Sequence, residues 1–224
     1  MSTSVPGAPI RRQTIFNAPP GTLWTCGALV VGHLLFLLAG PVWQQTALDT
    51  FAFVPARFLA HFAAGEPGSS TLELLPLIGH AFLHADALHL LVNAGLLLAF
   101  GAAVERQLGV PRFLILFACG AAAGALAEAL VGDARPVYLI GASGAVYGMM
   151  AAAMPILFRA GTPGRRRRAL EFIAVIMGLN VLVAMIGLGD FLAGAEISWR
   201  AHMGGFLAGL VLGFALSPRR AEPG

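Results

Sequence analysis

Six apolar runs, each near the length that crosses a bilayer, decide most of what this chain can become. They cover about 23–42, 81–103, 113–131, 141–158, 172–188 and 201–217. A spanning helix needs roughly 17–25 mostly apolar residues. Inside lipid a backbone must satisfy its own hydrogen bonds, so such runs fold as helices. The predicted fold class is therefore an all-α polytopic membrane protein with six transmembrane helices. Residues 1–22 are read as an N-terminal tail, 23–217 as one membrane domain, and 218–224 as a C-terminal tail. Composition excludes a large soluble domain: 58% of residues are hydrophobic and 11% charged, against about 25% charged in soluble proteins. The connections carry Gly, Pro and charge, as in GVPRF, GDARPVY and GTPGRRRR. No internal repeat supports a repeat-built transporter. Arg11 and Arg12 precede the first run as in a secretory signal. That run is long, lacks an A-x-A cleavage site and is followed by five more, so it is read as the first transmembrane helix.

Orientation follows from arginine, because the chain has no lysine. With six spans, one side holds eleven arginines: Arg11, Arg12, Arg106, Arg112, Arg159, Arg165, Arg166, Arg167, Arg168, Arg219 and Arg220. The other keeps Arg57, Arg135 and Arg200. The positive-inside bias predicts that both termini are cytoplasmic. The RRRR run then reads as a topology determinant, and no nucleic-acid partner is inferred from it. The first external loop, about 44–79, has an apolar face in Phe51, Phe53, Phe58, Leu59 and Phe62. It is too interrupted by Pro55 and Arg57 to be a seventh span, and is read as a segment lying in the interface. Cys26 and Cys119 sit inside apolar runs and predict no disulfide framework.

Polar residues inside a membrane usually face a protein interior or a water-filled cavity, so the exceptions are informative. The second span opens HAFLHADALHLLVN, with His80, His84, His89 and Asn93. The fourth opens with Ser143 in GASGAVYG and carries Tyr147 one turn later. The sixth opens AHMGGFLAG with His202. All three run from outside to inside in this topology, which brings a hydroxyl, an imidazole and a donor cluster to one level of the outer half. Ser143 and Tyr147 share a helix face, as do His89 and Asn93. Gly144 and Gly148 form one G-x-x-x-G pattern, and Gly205, Gly209 and Gly213 form two overlapping ones. Small residues at this period let membrane helices approach closely. Packing through them would bring Ser143 within hydrogen-bond reach of His202.

By itself, G-x-S-G is either a nucleophile on a tight turn or a loop entering a helix. It arises by chance roughly 0.1 times in a chain of this composition, as does H-x-x-G-x-x-x-G. The coincidence of both at the outer ends of spans carries more weight than either. The chemistry is coherent. A serine hydroxyl needs an adjacent base to become a nucleophile, and the resulting oxyanion needs fixed donors. A serine at a helix start supplies free N–H groups and a positive dipole end.

With these residues the sequence resembles the rhomboid family of intramembrane serine proteases. The matching motifs are GASG with Tyr147 four residues after Ser143, AHMGGFLAG, and HAFLHADALHLLVN followed by GAAVERQLG. They extend from about 80 to 217 in the family's order. The resemblance implies a six-helix rhomboid-like bundle of the bacterial type, in an inner membrane, with the active site open to the external side. It implies Ser143 as nucleophile and His202 as general base, a dyad with no cofactor and no metal. It further implies an oxyanion hole from His89, Asn93 and the Ser143 N–H, Tyr147 packing on the His202 ring, and a supporting position for His84. Substrates would be transmembrane proteins with helix-destabilising residues and a small residue at the cut. One feature departs from the family: the Trp-Arg pair often found in the first loop is replaced by Leu75-Pro76.

Two other readings compete with this one. His80, His84 and His89 are zinc-type ligands. On a continuous helix, however, His84 and His89 point about 140° apart, and no acidic partner is evident. A non-catalytic rhomboid-like protein that binds transmembrane clients would be expected to lack Ser143 or His202, and both are present. Asn180 in the fifth span reads as a buried hydrogen-bonding residue, and Glu128 as lying near the outer, water-accessible end of the third.

Overall fold

The computed structural model describes residues 18–64, 74–132, 136–160, 162–185 and 198–217. They form α1 (Pro20–Leu38), α2 (Gly40–Phe51), α3 (Pro55–Ala63), the single turn α4 (Pro76–Gly79), α5 (Ala87–Leu108), α6 (Val110–Val131), α7 (Ser143–Ala160), α8 (Pro163–Met185) and α9 (Trp199–Leu216). The fold is an all-α membrane bundle. Helices α1, α5, α6 and α9 are long and apolar enough to cross a bilayer, and the apolar part of α7, Ser143–Phe158, is shorter. The described residues contain no strand beyond one isolated antiparallel bridge, Phe53 to Leu139. The arginines of both tails, with Arg135, lie outside the described residues.

Several element boundaries differ from the hydropathy reading, each for a local reason. The first run is split where Gly40 adopts φ +70°, ending α1 at Leu38 and starting α2. The second helix starts at Ala87 rather than 81, because the Asp86 side chain accepts from His89 N at 2.8 Å and caps it. His80 therefore lies in a 3₁₀ turn (His80–Phe82) and His84 in the extended stretch after it, neither on the spanning helix. Helix α8 starts at Pro163, so Arg165 to Arg168 are helical rather than loop. Proline suits a first helical position and arginine is a good helix former. Arg167 pairs with Glu171 one turn on at 2.7 Å, while Arg166 Nε donates to the Leu157 carbonyl near the end of α7.

Part of the first loop's apolar face packs against the bundle. Phe53, Phe58 and Leu59 pack against Ala125 and Ala129 of α6, with Leu77 and Leu139. Alanines at that period leave a shallow face that the aromatic rings fill. Phe51 and Phe62 remain exposed.

The core is organised around α7. Ala145, Val146, Tyr147, Met149, Met150, Ala151, Ala152 and Ala153 are all buried, so this helix is enclosed on every side. Its neighbours α6 and α9 reach it through small residues. A Cβ placed on Gly205 would lie 2.0 Å from the Gly144 carbonyl oxygen, and one on Gly209 2.0 Å from that of Gly148. From α6, a Cβ on Gly120 would lie 3.0 Å from Ala145 Cα, and one on Gly124 2.8 Å from the Ala201 oxygen. The three backbones touch, so any side chain at these positions must push a helix away.

Buried carboxylates fasten the ends. Glu105, near the end of α5, accepts from Gly21 N at 2.8 Å, Thr22 N at 2.6 Å and Thr22 Oγ1 at 2.7 Å. It thereby caps α1, whose own N-cap is a proline without a capping side chain. Glu128, buried near the end of α6, accepts from the Ser198 hydroxyl and lies 3.6 Å from Arg200. Ser198 itself caps α9 by accepting from Ala201 N at 2.9 Å, which ties the start of α9 to α6.

Gly209→Ala is expected to lower thermal stability by about 1–3 kcal/mol, the usual penalty for overpacking. Gly95→Ala, at a helical position with nothing within 4 Å, is expected to be neutral or to gain up to about 1 kcal/mol. Unfolding of the two variants in the same detergent checks the contrast.

Candidate active site

The site begins with the turn that delivers Ser143. Gly141 holds φ +113°, a conformation that side-chain-bearing residues rarely adopt. Its N–H donates to the His80 carbonyl at 2.9 Å, and the next N–H, of Ala142, donates to His84 Nε2 at 3.4 Å. The Ala142 carbonyl then accepts the first helical bond, from Val146 N at 3.0 Å. Ser143 is thus the first residue of the most enclosed helix, where N–H groups have no partner within the helix and the dipole is positive.

A second set of contacts steadies this turn from outside. Phe53 and Leu139 exchange backbone bonds of 3.1 and 2.8 Å. The Tyr138 hydroxyl donates to Asp49 of α2 at 2.5 Å, and Gln45 donates to both. Outside the spanning segments, this Tyr138 bond, followed by that from Gln45, holds the Asp49 carboxyl below its ordinary range.

The close approach of α9 to α7 brings His202 to Ser143, with Nε2 and Oγ 2.6 Å apart. The Tyr147 ring stacks on the imidazole at 4.3 Å and 7°. The other ring nitrogen, Nδ1, lies 2.5 Å from the side-chain amide of Asn180 on α8. A hydroxyl at this distance from an imidazole nitrogen is placed for proton transfer.

His89 packs directly beneath the turn: a Cβ on Gly141 would lie 2.6 Å from its Nε2 and Cε1. Asn93 is buried one helical turn further along, its Nδ2 donating to the His89 carbonyl at 2.9 Å. The helical argument that separated His84 from His89 fails, because only His89 is on the helix; their rings meet edge to face at 5.1 Å. His84 in turn meets His33 of α1 at 6.3 Å, and His33 Nδ1 donates to the His84 carbonyl at 3.2 Å. Among the described residues no group of three or more His, Cys, Asp or Glu is arranged to hold a metal ion.

Several contributors escaped the sequence reading. Asn180 had a signal, an amide in an apolar run, but nothing in the sequence pointed to its partner. Gly120 and Gly124 carry a small-residue period on α6. Ser198 and Asp86 are capping residues whose significance depends on the helix each one starts.

Residues 71–219 match the family model described as the Rhomboid domain. RHOMBOID-like protein 5 of Arabidopsis thaliana is 33% identical over 62% of this chain and 43% of its own length. RHOMBOID-like protein 1 of the same plant is 27% identical over 85% of this chain and 52% of its own. The protein named "Putative rhomboid protease YdcA" of Bacillus subtilis (strain 168) is 30% identical over 66% of this chain and 69% of its own. The chain spans about half the length of the two plant relatives.

Gly141→Ala is expected to destabilise more than Gly109→Ala. Both force a side chain to a positive φ, +113° and +80°, at a strain of about 1–3 kcal/mol. Only Gly141 also faces the His89 ring, whereas the nearest atom at Gly109 is 3.9 Å away. The difference between the two melting shifts measures the clash with His89.

Proposed function

The chain belongs to the rhomboid family, and from that premise we propose that it is an intramembrane serine endopeptidase that cuts transmembrane proteins. The observation that carries the reading is the 2.6 Å approach of Ser143 Oγ to His202 Nε2. In this reading Ser143 is the nucleophile and His202 the general base. As Oγ attacks the scissile carbonyl, its proton passes to Nε2 and the carbonyl oxygen becomes an oxyanion. The Ser143 N–H stabilises that charge together with His89 and Asn93 from α5. His202 then gives the proton to the leaving amine as the C–N bond breaks. Water hydrolyses the acyl-enzyme by the same proton route in reverse and frees Ser143.

The support extends beyond the pair. Tyr147 stacking limits the tilt of the imidazole. His80, by its carbonyl, and His84, by its ring Nε2, accept from the N–H groups of the two residues before Ser143. His89 lies against Gly141, two residues before Ser143. A peptide bond inside a helix is shielded by its own hydrogen bonds, so the substrate would have to unwind locally. This favours transmembrane segments with helix-destabilising residues and a small residue at the cut. The arginine distribution supports cytoplasmic termini and a site open to the external side of the membrane, and we place the protein in a bacterial inner membrane.

A serine-reactive fluorophosphonate, followed by peptide mass analysis, tests the reading first. The expected result is an adduct on Ser143 that is lost in Ser143→Ala and His202→Ala. Cleavage of a model transmembrane substrate should fall by several orders of magnitude in each, with the double variant no worse than the weaker single one, since the pair acts as a unit. Asn93→Ala should lower the cleavage rate by about 10²–10³-fold, as for other side-chain oxyanion donors. A wild-type protein that binds transmembrane segments but neither labels nor cleaves would overturn the reading in favour of client binding.

A further inference from the structure

Stacking on Tyr147 leaves one degree of freedom of His202 undetermined. A parallel stack at 4.3 Å and 7° fixes the plane of the ring, yet says nothing about which nitrogen carries the proton. For Nε2 to accept from Ser143, a neutral imidazole must carry its hydrogen on Nδ1. His202 is buried, and a buried N–H without a partner is costly.

The group that meets Nδ1 is the Asn180 amide, at 2.5 Å from Nδ2 as drawn. Amide nitrogen and oxygen are assigned from the hydrogen-bond network. An NH₂ facing an N–H would set donor against donor, so in the tautomer whose Nε2 accepts from Ser143 the oxygen of Asn180 faces Nδ1. The helix aims it there. Ile173, Ile176, Met177 and Asn180 follow a 3–4 residue period along α8, and the first three pack in the cluster around Tyr147, Met150 and Phe206. Leu179 and Leu182, on the other side, are exposed. Among the described residues no carboxylate is hydrogen-bonded to His202.

We propose that Asn180 is a positioning residue that completes a Ser143–His202–Asn180 triad. Its carbonyl accepts from His202 Nδ1–H, selects the tautomer whose Nε2 is bare, and strengthens its hold when Ser143's proton turns the ring into an imidazolium. The same division of labour operates in Cys-His-Asn proteases on an unrelated fold. The inference deepens the protease reading and rests on it for its catalytic meaning, while the hydrogen bond itself stands apart from that reading.

The test combines ¹⁵N NMR of histidine-labelled protein in detergent with kinetics of Asn180→Leu and Asn180→Asp. The His202 signals are assigned by their loss in His202→Ala. Wild type is expected to show the proton on Nδ1, and Asn180→Leu a shift toward the Nε2–H form. Fluorophosphonate labelling and the kcat for a transmembrane substrate should fall about 10²–10⁴-fold in Asn180→Leu, the range spanned by losing general-base catalysis or its tautomer, with KM little changed. Asn180→Asp, which keeps an acceptor, should stay within about tenfold of wild type, a smaller loss than the lower end of that range. Wild-type protein with its proton on Nε2 overturns the proposal even if Asn180→Leu fails to fold. So does an Asn180→Leu variant that keeps the Nδ1–H signal and labels at the wild-type rate. Should wild type fail to label or cleave at all, the protease reading falls alone, because the tautomer still reports whether Asn180 holds the ring.

Discussion

The structure depends on three helix backbones being allowed to touch. Helix α7 is enclosed, and it can be enclosed only because α6 and α9 meet it without side chains between. The Gly205 and Gly209 positions leave less room than a single methyl group beside the carbonyls of Gly144 and Gly148. In lipid no hydrophobic driving force favours one apolar face over another, so close van der Waals packing has to do this work. The same approach sets the Ser143–His202 distance. Those residues lie at the N-terminal ends of the two helices, and a helix pair spread by one methyl group would carry them out of hydrogen-bond reach. Packing and candidate chemistry thus rest on one spacing.

Most of the polar side chains around the site are held by a partner, with His33 Nε2 and His84 Nδ1 the exceptions among the described residues. Asp86 caps the helix that carries His89, Asn93 bonds back to the His89 carbonyl, and His84 and His80 take up the N–H groups of the turn before Ser143. Glu128, Ser198 and Arg200 do the same for the start of α9. Most of these bonds lie at helix ends, where the backbone has unpaired groups in any case. The chain therefore concentrates its polar side chains at the level where its own backbone needs them, and the candidate site is assembled from this surplus.

This explains what was legible from the residues alone. Apolar runs reveal that a helix spans, and the glycine period reveals which faces meet, because close approach requires small residues regardless of fold. Both are local signals. Helix starts were misread where a capping side chain or a favourable N1 proline decided them, as at Asp86 and Pro163, because hydropathy does not register hydrogen bonds. The His84–His89 geometry was misread for the same reason: a turn precedes Asp86, and helical angles do not apply across it. The fold of the first loop against Ala125 and Ala129 was illegible because alanines in a membrane helix look alike whether they face lipid or protein. Asn180 was visible as an anomaly but not as a partner, since its bond crosses from α8 to α9 and only their packing defines it.

The choice of an amide at that position has a physical logic of its own. A carboxylate facing Nδ1 would hold an imidazolium more strongly, but it would have to be charged beside a buried ring, where desolvation is costly. An asparagine is neutral in both states of the histidine. It supplies an acceptor of fixed direction, and that direction is set by the same inner stripe of α8 that packs against Tyr147. Two neutral contacts, one across the face of the ring and one at its edge, together leave His202 a single orientation toward Ser143. Within an apolar bundle, orientation without charge is the less expensive way to fix an imidazole.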